Sequence, residues 1–264
     1  MSLFAAYVVL GLAVGFVAGL LGVGGGLIIV PVLITLFQAY AIATGMEPQL
    51  ALGTSLASIL FTSISSMRAH HRHGAMEWAL VRKITPAILV GALVGAVLAT
   101  QVSASILKLG FTLFLFYAAT QMWLDFKPRP HRNLPGAVGT TMAGTVIGAV
   151  SSWVGIGGGT LSVPFMLWHN ISLHRAIATS SAIGLPIAVA GATGYVLGGW
   201  GLVSLPDYSL GFVYLPALAG IVLGSVLTAP LGARTAHRLP GPPLKRIFAL
   251  LLYVLAIRMV FTLT

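Results

Sequence analysis

Apolar residues run in long blocks along this chain, separated by short polar punctuation. The blocks cover 3–21, 27–45, 48–67, 80–100 and 106–124, and resume at 136–154, 160–170, 174–198, 209–231 and 244–263. Most reach or approach the roughly 20 residues a helix needs to cross hydrocarbon. The pattern predicts an all-α polytopic membrane protein with 8 to 10 hydrophobic segments. A polar link rich in Pro, Arg and His, Asp125 to Pro135, divides it into 1–124 and 136–264.

Two glycine runs interrupt the apolar pattern. Gly22 to Gly26 reads Gly-Val-Gly-Gly-Gly, and Gly155 to Gly159, 133 positions later, reads Gly-Ile-Gly-Gly-Gly. Pro31 and Pro164 follow at the same distance. Beyond a shorter loop the offset becomes 125 and pairs Ala51, Thr54 and Ser55 with Ala176, Thr179 and Ser180. Further on, Gly91 and Gly95 match Gly220 and Gly224. An internal duplication is the economical reading, each half holding a glycine-broken segment and three plain ones.

The charges relate the halves to one another. The first half is basic after its third segment (Arg68, Arg72, Arg82, Lys83), where the matching loop of the second half has only Asp207. In the second half the basic residues sit one loop later, at Arg234, Arg238, Lys245 and Arg246, where the first half has Lys108 alone. Because Lys and Arg mark the cytoplasmic side, this switch predicts inverted repeats. Inversion needs an odd number of crossings per half, so each glycine-broken segment must return to its own side. It is then either a re-entrant hairpin or a tight spanning pair. The same assignment puts Lys127, Arg129, Arg132 and Arg175 with the other basic residues on the cytoplasmic side, so residues 125–135 form a cytoplasmic linker and both termini lie outside.

Composition agrees. Of 264 residues, 58% are hydrophobic and 7% charged, with mean hydropathy +1.00; soluble domains carry about 25% charged residues. The net charge of +10 sits in short connections rather than on one soluble face, so it marks orientation and not a nucleic-acid partner. The absence of cysteine excludes thiolate chemistry and Cys-based metal sites. The first apolar stretch lacks the basic leader of a signal peptide and is expected to stay in the mature protein.

Backbone in hydrocarbon can leave the helix only inside protein or beside a cavity. A helix restarting after a glycine break points free N–H groups and its positive dipole end at the break, and such an end binds anions without a buried cation. The candidate substrate-binding residues are therefore Gly22, Gly24, Gly25, Gly26, Gly155, Gly157, Gly158 and Gly159, with Pro31 and Pro164 behind them. Thr54, Ser55, Thr179 and Ser180, expected in the first turns of their helices, add hydroxyl donors. A larger side chain at Gly25 or Gly158 is expected to fill the anion position. Close helix packing explains Gly11, Gly15 and Gly19, but three consecutive glycines exceed what packing needs.

The run from Gly19 to Pro31 with Ala51–Ser55, and the run from Gly155 to Pro164 with Ala176–Ser180, resemble the doubled motif of the sulfite exporter TauE/SafE family, also called the TSUP anion permeases. The resemblance covers essentially the whole chain. It implies carriage of small anions such as sulfite, sulfonates, other organosulfur compounds or organic acids, in a bacterial or archaeal inner membrane. It fixes neither substrate nor direction.

Other residues change this picture little. His70, His71 and His73 with Arg68 and Arg72 suggest a metal or pH site, but the second half has no counterpart, so they read as an orientation patch. His169, His174 and Arg175 flank the second motif and could attract substrate. The acids Glu47, Glu77, Asp125 and Asp207 all lie at segment ends, so any proton coupling would run through His or the substrate. No metal or cofactor is expected. Gly53-Thr54-Ser55 superficially resembles an intramembrane serine protease motif but lacks a His deep in any apolar segment, so an enzyme is not expected. An anion channel using the same helix ends is the alternative to an alternating-access carrier.

Overall fold

A computed structural model describes residues 2–21, 25–71, 76–124, 134–236 and 241–262. Gly22, Gly24, Arg72, His73, Lys127, Arg129, Arg132 and Arg238 lie outside the described residues, as do the side chains of His70 and Lys245. The helices are α1 (Leu3–Leu21), α2 (Gly26–Ala39), α3 (Glu47–His71), α4 (Trp78–Thr100), α5 (Ala104–Trp123), α6 (Ala137–Val154), α7 (Gly159–Trp168), α8 (Leu173–Gly198), α9 (Leu215–Ala236) and α10 (Gly241–Phe261). A two-stranded hairpin, β1 (Ser209–Leu210) with β2 (Val213–Tyr214), precedes α9. Among the described residues, seven helices (α1, α3, α4, α5, α6, α8 and α9) are long and apolar enough to cross a membrane. The protein is an all-α polytopic membrane protein.

Helices α2 and α7, of 14 and 10 residues, span only about 21 and 15 Å, short of the roughly 30 Å of a hydrocarbon core. Each glycine-broken segment is thus one full-length helix followed by one half-length helix. The apolar block 27–45 overstates α2, because the chain turns at Tyr40–Met46 with Ala41, Ala43 and Gly45 at positive φ. The block 209–231 likewise begins as the β-hairpin, which folds back so that Phe212 N–H donates to the Tyr195 carbonyl of α8 at 3.1 Å.

Helices α3 and α8 are the core, 67% and 72% buried over their apolar spans, whereas the other spanning helices are 33–44% buried. They run antiparallel: an added Cβ at Gly53 would meet Tyr195, one at Gly191 would meet Leu56, and one at Gly184 would meet Ser63. Around this pair, α1 packs parallel to α9 and α4 parallel to α6 through glycine approaches. Gly11 lies on Ile221 and Gly15 on Ser225, while Gly91 lies on Thr145 and Gly95 on Ala149. Such small-residue seams let membrane helices pack closely without a hydrophobic driving force. Exchanging the halves (α1 with α6, α4 with α9, α3 with α8) maps the first seam onto the second. Outward-facing Val90, Leu98, Leu113, Leu227 and Val254 are exposed, as a lipid-facing surface requires.

The helix directions define two ends. Tyr7 near the start of α1 and Phe37 near the end of α2 both pack edge-on against Tyr214, at ring distances of 6.5 and 5.7 Å. The α1–α2 segment therefore returns to the end it left, which also holds the β-hairpin. The start of α4 meets the start of α8 at the opposite end, through Glu77 and Arg175. Following each helix from there collects Arg68, Arg82, Lys83, Arg175, Arg234 and Arg246 at this basic end, and Lys108 and Arg258 at the hairpin end.

Candidate functional site

The two glycine breaks meet inside the bundle. Gly26 opens α2 against the Gly155 carbonyl and Ile156, so closely that no Cβ could be added. Ser55 of α3 donates to that same Gly155 carbonyl at 2.8 Å. Two cross-half contacts thus fix the breaks on each other, each requiring the residue found there.

The second break is described in full. Gly155 closes α6 in the left-handed conformation (φ 70), and Ile156 N–H returns to the Ser151 carbonyl at 2.9 Å. This αL closure satisfies the last carbonyls of the helix. Gly158 (φ 78) then opens α7, and Gly25 (φ 75) opens α2 in the same way. Neither helix has a side-chain cap at its N-terminus. The first amides of each helix lack intrahelical acceptors, and those of Gly26, Leu27, Gly159 and Thr160 have no backbone acceptor among the described residues. Pro31 and Pro164 stand at the sixth residue of α2 and α7, where each removes one helical donor.

A small cavity of about 10 Å³ borders both breaks, lined by Gly157 of the second, by Ala18 of α1 beside Gly25 of the first, by Thr62, Ser63 and Ser66 of α3, and by Ser180 and Ser181 of α8. That volume admits about one water and no oxyanion in this conformation. Ser180 and Ser181 donate to the Ile177 and Ala178 carbonyls at 2.8 and 2.7 Å. Ser66 Oγ is buried without a hydrogen-bond partner among the described residues, and so are Ser151 Oγ of α6 and Thr160 Oγ1 and Ser162 Oγ of α7.

The expected residues divide. Gly25, Gly26, Gly155, Gly157, Gly158, Gly159, Ser55 and Ser180 gather around the breaks or the cavity. Thr54 and Thr179 stand in the second turns of α3 and α8 rather than the first, because those helices begin at Glu47 and Leu173. Their oxygens accept backbone N–H groups from the opposite half: Tyr214 N–H to Thr54 at 2.9 Å, and Glu77 N–H to Thr179 at 3.0 Å. The Thr54 proton goes to the Leu50 carbonyl at 2.6 Å. Glu77 also pairs with Arg175 at 2.9 Å, and His169 Nδ1 lies 2.7 Å from the Phe165 carbonyl.

The cavity residues Thr62, Ser63 and Ser66 are additions that a search for doubled positions passes over. Their signal is helical rather than internal: Ser55, Ser58, Thr62 and Ser66 recur at three- and four-residue steps and form one buried hydroxyl stripe along α3.

Comparison with known proteins places these features in context. A family model described as Sulfite exporter TauE/SafE matches residues 7–259. A probable membrane transporter protein of Haemophilus influenzae is 37% identical over 250 residues, covering 94% of this chain and 95% of that one. YunE of Bacillus subtilis, also named a probable membrane transporter protein, is 29% identical over 217 residues, 74% of this chain and 79% of its own. MJ0441 of Methanocaldococcus jannaschii carries the same description and is 24% identical over 258 residues, 96% and 93% of the two chains. No solved structure matches the chain.

Proposed function

The chain belongs to the sulfite exporter TauE/SafE family, and from that premise we propose that this membrane transporter is a secondary permease of small anions, sulfite, sulfonates or related organosulfur and organic acids. The substrate binds where the two glycine breaks meet and is carried by alternating access. The observation that carries this reading is the pair of uncapped helix N-termini opened by Gly25 and Gly158, the first packed through Gly26 on the Gly155 carbonyl of the second break. Each helix end is equivalent to about half a positive charge, so the two together offset roughly one negative charge. Lining hydroxyls then supply direction, and no buried cation is needed. Enzyme chemistry plays no part in this reading.

Residues 1–124 and 136–264 are inverted halves joined by a cytoplasmic linker, with the basic end in the cytoplasm and both termini outside. The switch of Lys and Arg between loops supports this, and so does the exchange of helix seams between halves. Alternating access also has a mechanical basis. Thr54 holds the start of α9 and Thr179 the start of α4, each across the halves and at opposite ends of the bundle. Both contacts are made in this conformation; opening to either side releases one of them.

Counterflow in proteoliposomes tests the reading. Sulfite, thiosulfate, methanesulfonate and short carboxylates are offered against internal anion, with monovalent cations as controls. Exchange of at least one anion at saturable, carrier-like rates is the expected result. Cation exchange, or unitary conductance far above carrier rates, would overturn it.

A further inference from the structure

Helices α3 and α8 meet along one antiparallel seam with a regular succession of partners. From the hairpin end, Tyr195 lies on Gly53, Leu56 on Gly191, and Ser63 beside Gly184. One step nearer the basic end comes the cavity, which Ser66 of α3 and Ser181 of α8 both line. Ser66 stands five residues, about 8 Å, before the end of α3 at His71. The cavity therefore occupies the basic side of the seam.

The seam has a second position of this kind. The offset that pairs Thr54 with Thr179 also pairs Ser66 with Gly191 and Ser181 with Leu56. Exchanging the halves thus maps the cavity between Ser66 and Ser181 onto the contact of Leu56 with Gly191. The positions correspond, but their contents differ. Toward the basic end there is a void bordered by hydroxyls. Toward the hairpin end a fully buried leucine closes on a glycine, its Cδ1 2.9 Å from where a Gly191 Cβ would stand.

Ser66 makes the void more than a packing gap. It is 5% exposed, and its Oγ has no hydrogen-bond partner among the described residues. An unpaired buried hydroxyl is unfavourable, and alanine would fill the same place without that cost. Thr62 and Ser181 donate to carbonyls of their own helices in this conformation and can turn toward an occupant. Every described lining residue is uncharged. The cost of burying an ion in such surroundings grows with the square of its charge.

We propose that the cavity between Ser66 and Ser181 is the subsite where a monoanionic oxyanion head, such as a sulfonate, is loaded from the basic end, and that Leu56 on Gly191 is the gate barring the corresponding path to the hairpin end. The inference rests on the anion-permease reading and deepens it. Ser66 donates to the bound anion, and dianions such as sulfate are disfavoured because no cation lines the site. Because the void is water-sized, loading parts α3 from α8 at Ser66 and Ser181. Release toward the hairpin end requires Leu56 to leave Gly191.

Two measurements on the full chain test this. The first is equilibrium binding of methanesulfonate, hydrogen sulfite and sulfate in detergent, with melting temperatures on the same samples to separate folding losses from binding losses. The wild type should bind methanesulfonate at least tenfold more tightly than sulfate. Ser66→Ala, which adds no steric demand, should weaken methanesulfonate binding about tenfold, the loss expected for a hydrogen bond to a charged group. Ser225→Ala, which removes a buried hydroxyl on α9, should leave it within twofold. The second measurement reads the gate in sealed proteoliposomes of known orientation. In the Ser66→Cys chain, a membrane-impermeant anionic methanethiosulfonate should modify the thiol at least tenfold faster from the basic end than from the hairpin end. Leu56→Ala should bring the two rates within about threefold, while Leu56→Met, which nearly keeps the volume, should preserve the bias. Wild-type affinity in folded Ser66→Ala, or sulfate bound as tightly as methanesulfonate, overturns the subsite and leaves the permease reading standing. Equal rates from both ends with Leu56 present, or an unchanged bias in folded Leu56→Ala, overturns the gate in the same way. A wild type that binds none of the three anions overturns the permease reading as well.

Discussion

The Thr179 hydroxyl accepts a hydrogen bond from the Glu77 backbone N–H at 3.0 Å, and the Thr54 hydroxyl accepts one from Tyr214 N–H at 2.9 Å. Glu77 and Tyr214 each stand immediately before a helix, α4 or α9, so each threonine holds the start of a helix from the opposite half. The doubled Thr-Ser pair thus splits its work. Its threonines link the halves, whereas Ser55 and Ser180 stay at the break and the cavity.

Thr179→Val is expected to cost about 1 kcal/mol of folded stability, the typical net worth of one hydrogen bond. Thr54→Val should cost about 1–2 kcal/mol, because Thr54, fully buried like Thr179, also donates to Leu50. Thr→Ser at either position should recover most of the loss. Chemical denaturation of the detergent-solubilised protein measures both. Losses under a few tenths of a kcal/mol would show that the ties bear no load in this state.

Glu77 also pairs with Arg175, but the side chains are 28% and 53% exposed. Exposed ion pairs contribute about 0–1 kcal/mol and are screened by salt. Glu77→Gln keeps the backbone N–H that Thr179 holds, so it should lower stability by less than about 1 kcal/mol and by less still at high salt. A larger, salt-independent loss would mean that the carboxylate has a role beyond this pair.

Much of this architecture was legible in sequence because it rests on local signals. Apolar length marked the spanning helices, the Gly-x-Gly-Gly-Gly runs marked the breaks, and the loop positions of Lys and Arg anticipated which helix ends gather at the basic end. What was hidden depends on partners distant in the chain. The block 27–45 is largely apolar, and the turn at Tyr40–Met46 stops α2 at Ala39. The role of Thr54 could not be read without the β-hairpin that brings Tyr214 to it. Ser63 and Ser66 were missed because they occur in one half alone, and duplication directs attention to residues that occur twice.

The orientation of the two ends has a direct readout. A chain without native cysteine gives a clean background for single-Cys labelling. Ser204→Cys near the hairpin and His71→Cys at the basic end of α3 are both exposed positions. A membrane-impermeant maleimide should label Ser204→Cys from outside intact cells and reach His71→Cys only after permeabilisation. Equal labelling of both from outside would contradict the assignment of the basic end to the cytoplasm.

The glycines separate folding from binding once their backbone conformations are known. Gly25 and Gly158 sit at φ 75 and 78, where an L side chain costs about 1–2 kcal/mol. An added Cβ would also meet Val14 Cγ1 or Ile187 Cδ1. A leucine at either position is therefore a folding defect first and cannot report on the anion position alone. Gly184 is the better probe, because it lies within α8. Its added Cβ would stand 2.9 Å from Ser63 Oγ and 3.0 Å from the Gly157 carbonyl. Ser63 can rotate away, but only by leaving the cavity, and the carbonyl must yield by a few tenths of an ångström. Gly184→Ala should accordingly fold with a loss of about 1 kcal/mol or less, the lower end for overpacking, and weaken methanesulfonate binding about tenfold, as one lost hydrogen bond to a charged group predicts. Retained affinity in the folded variant would remove Ser63 and this wall of the cavity from the binding site.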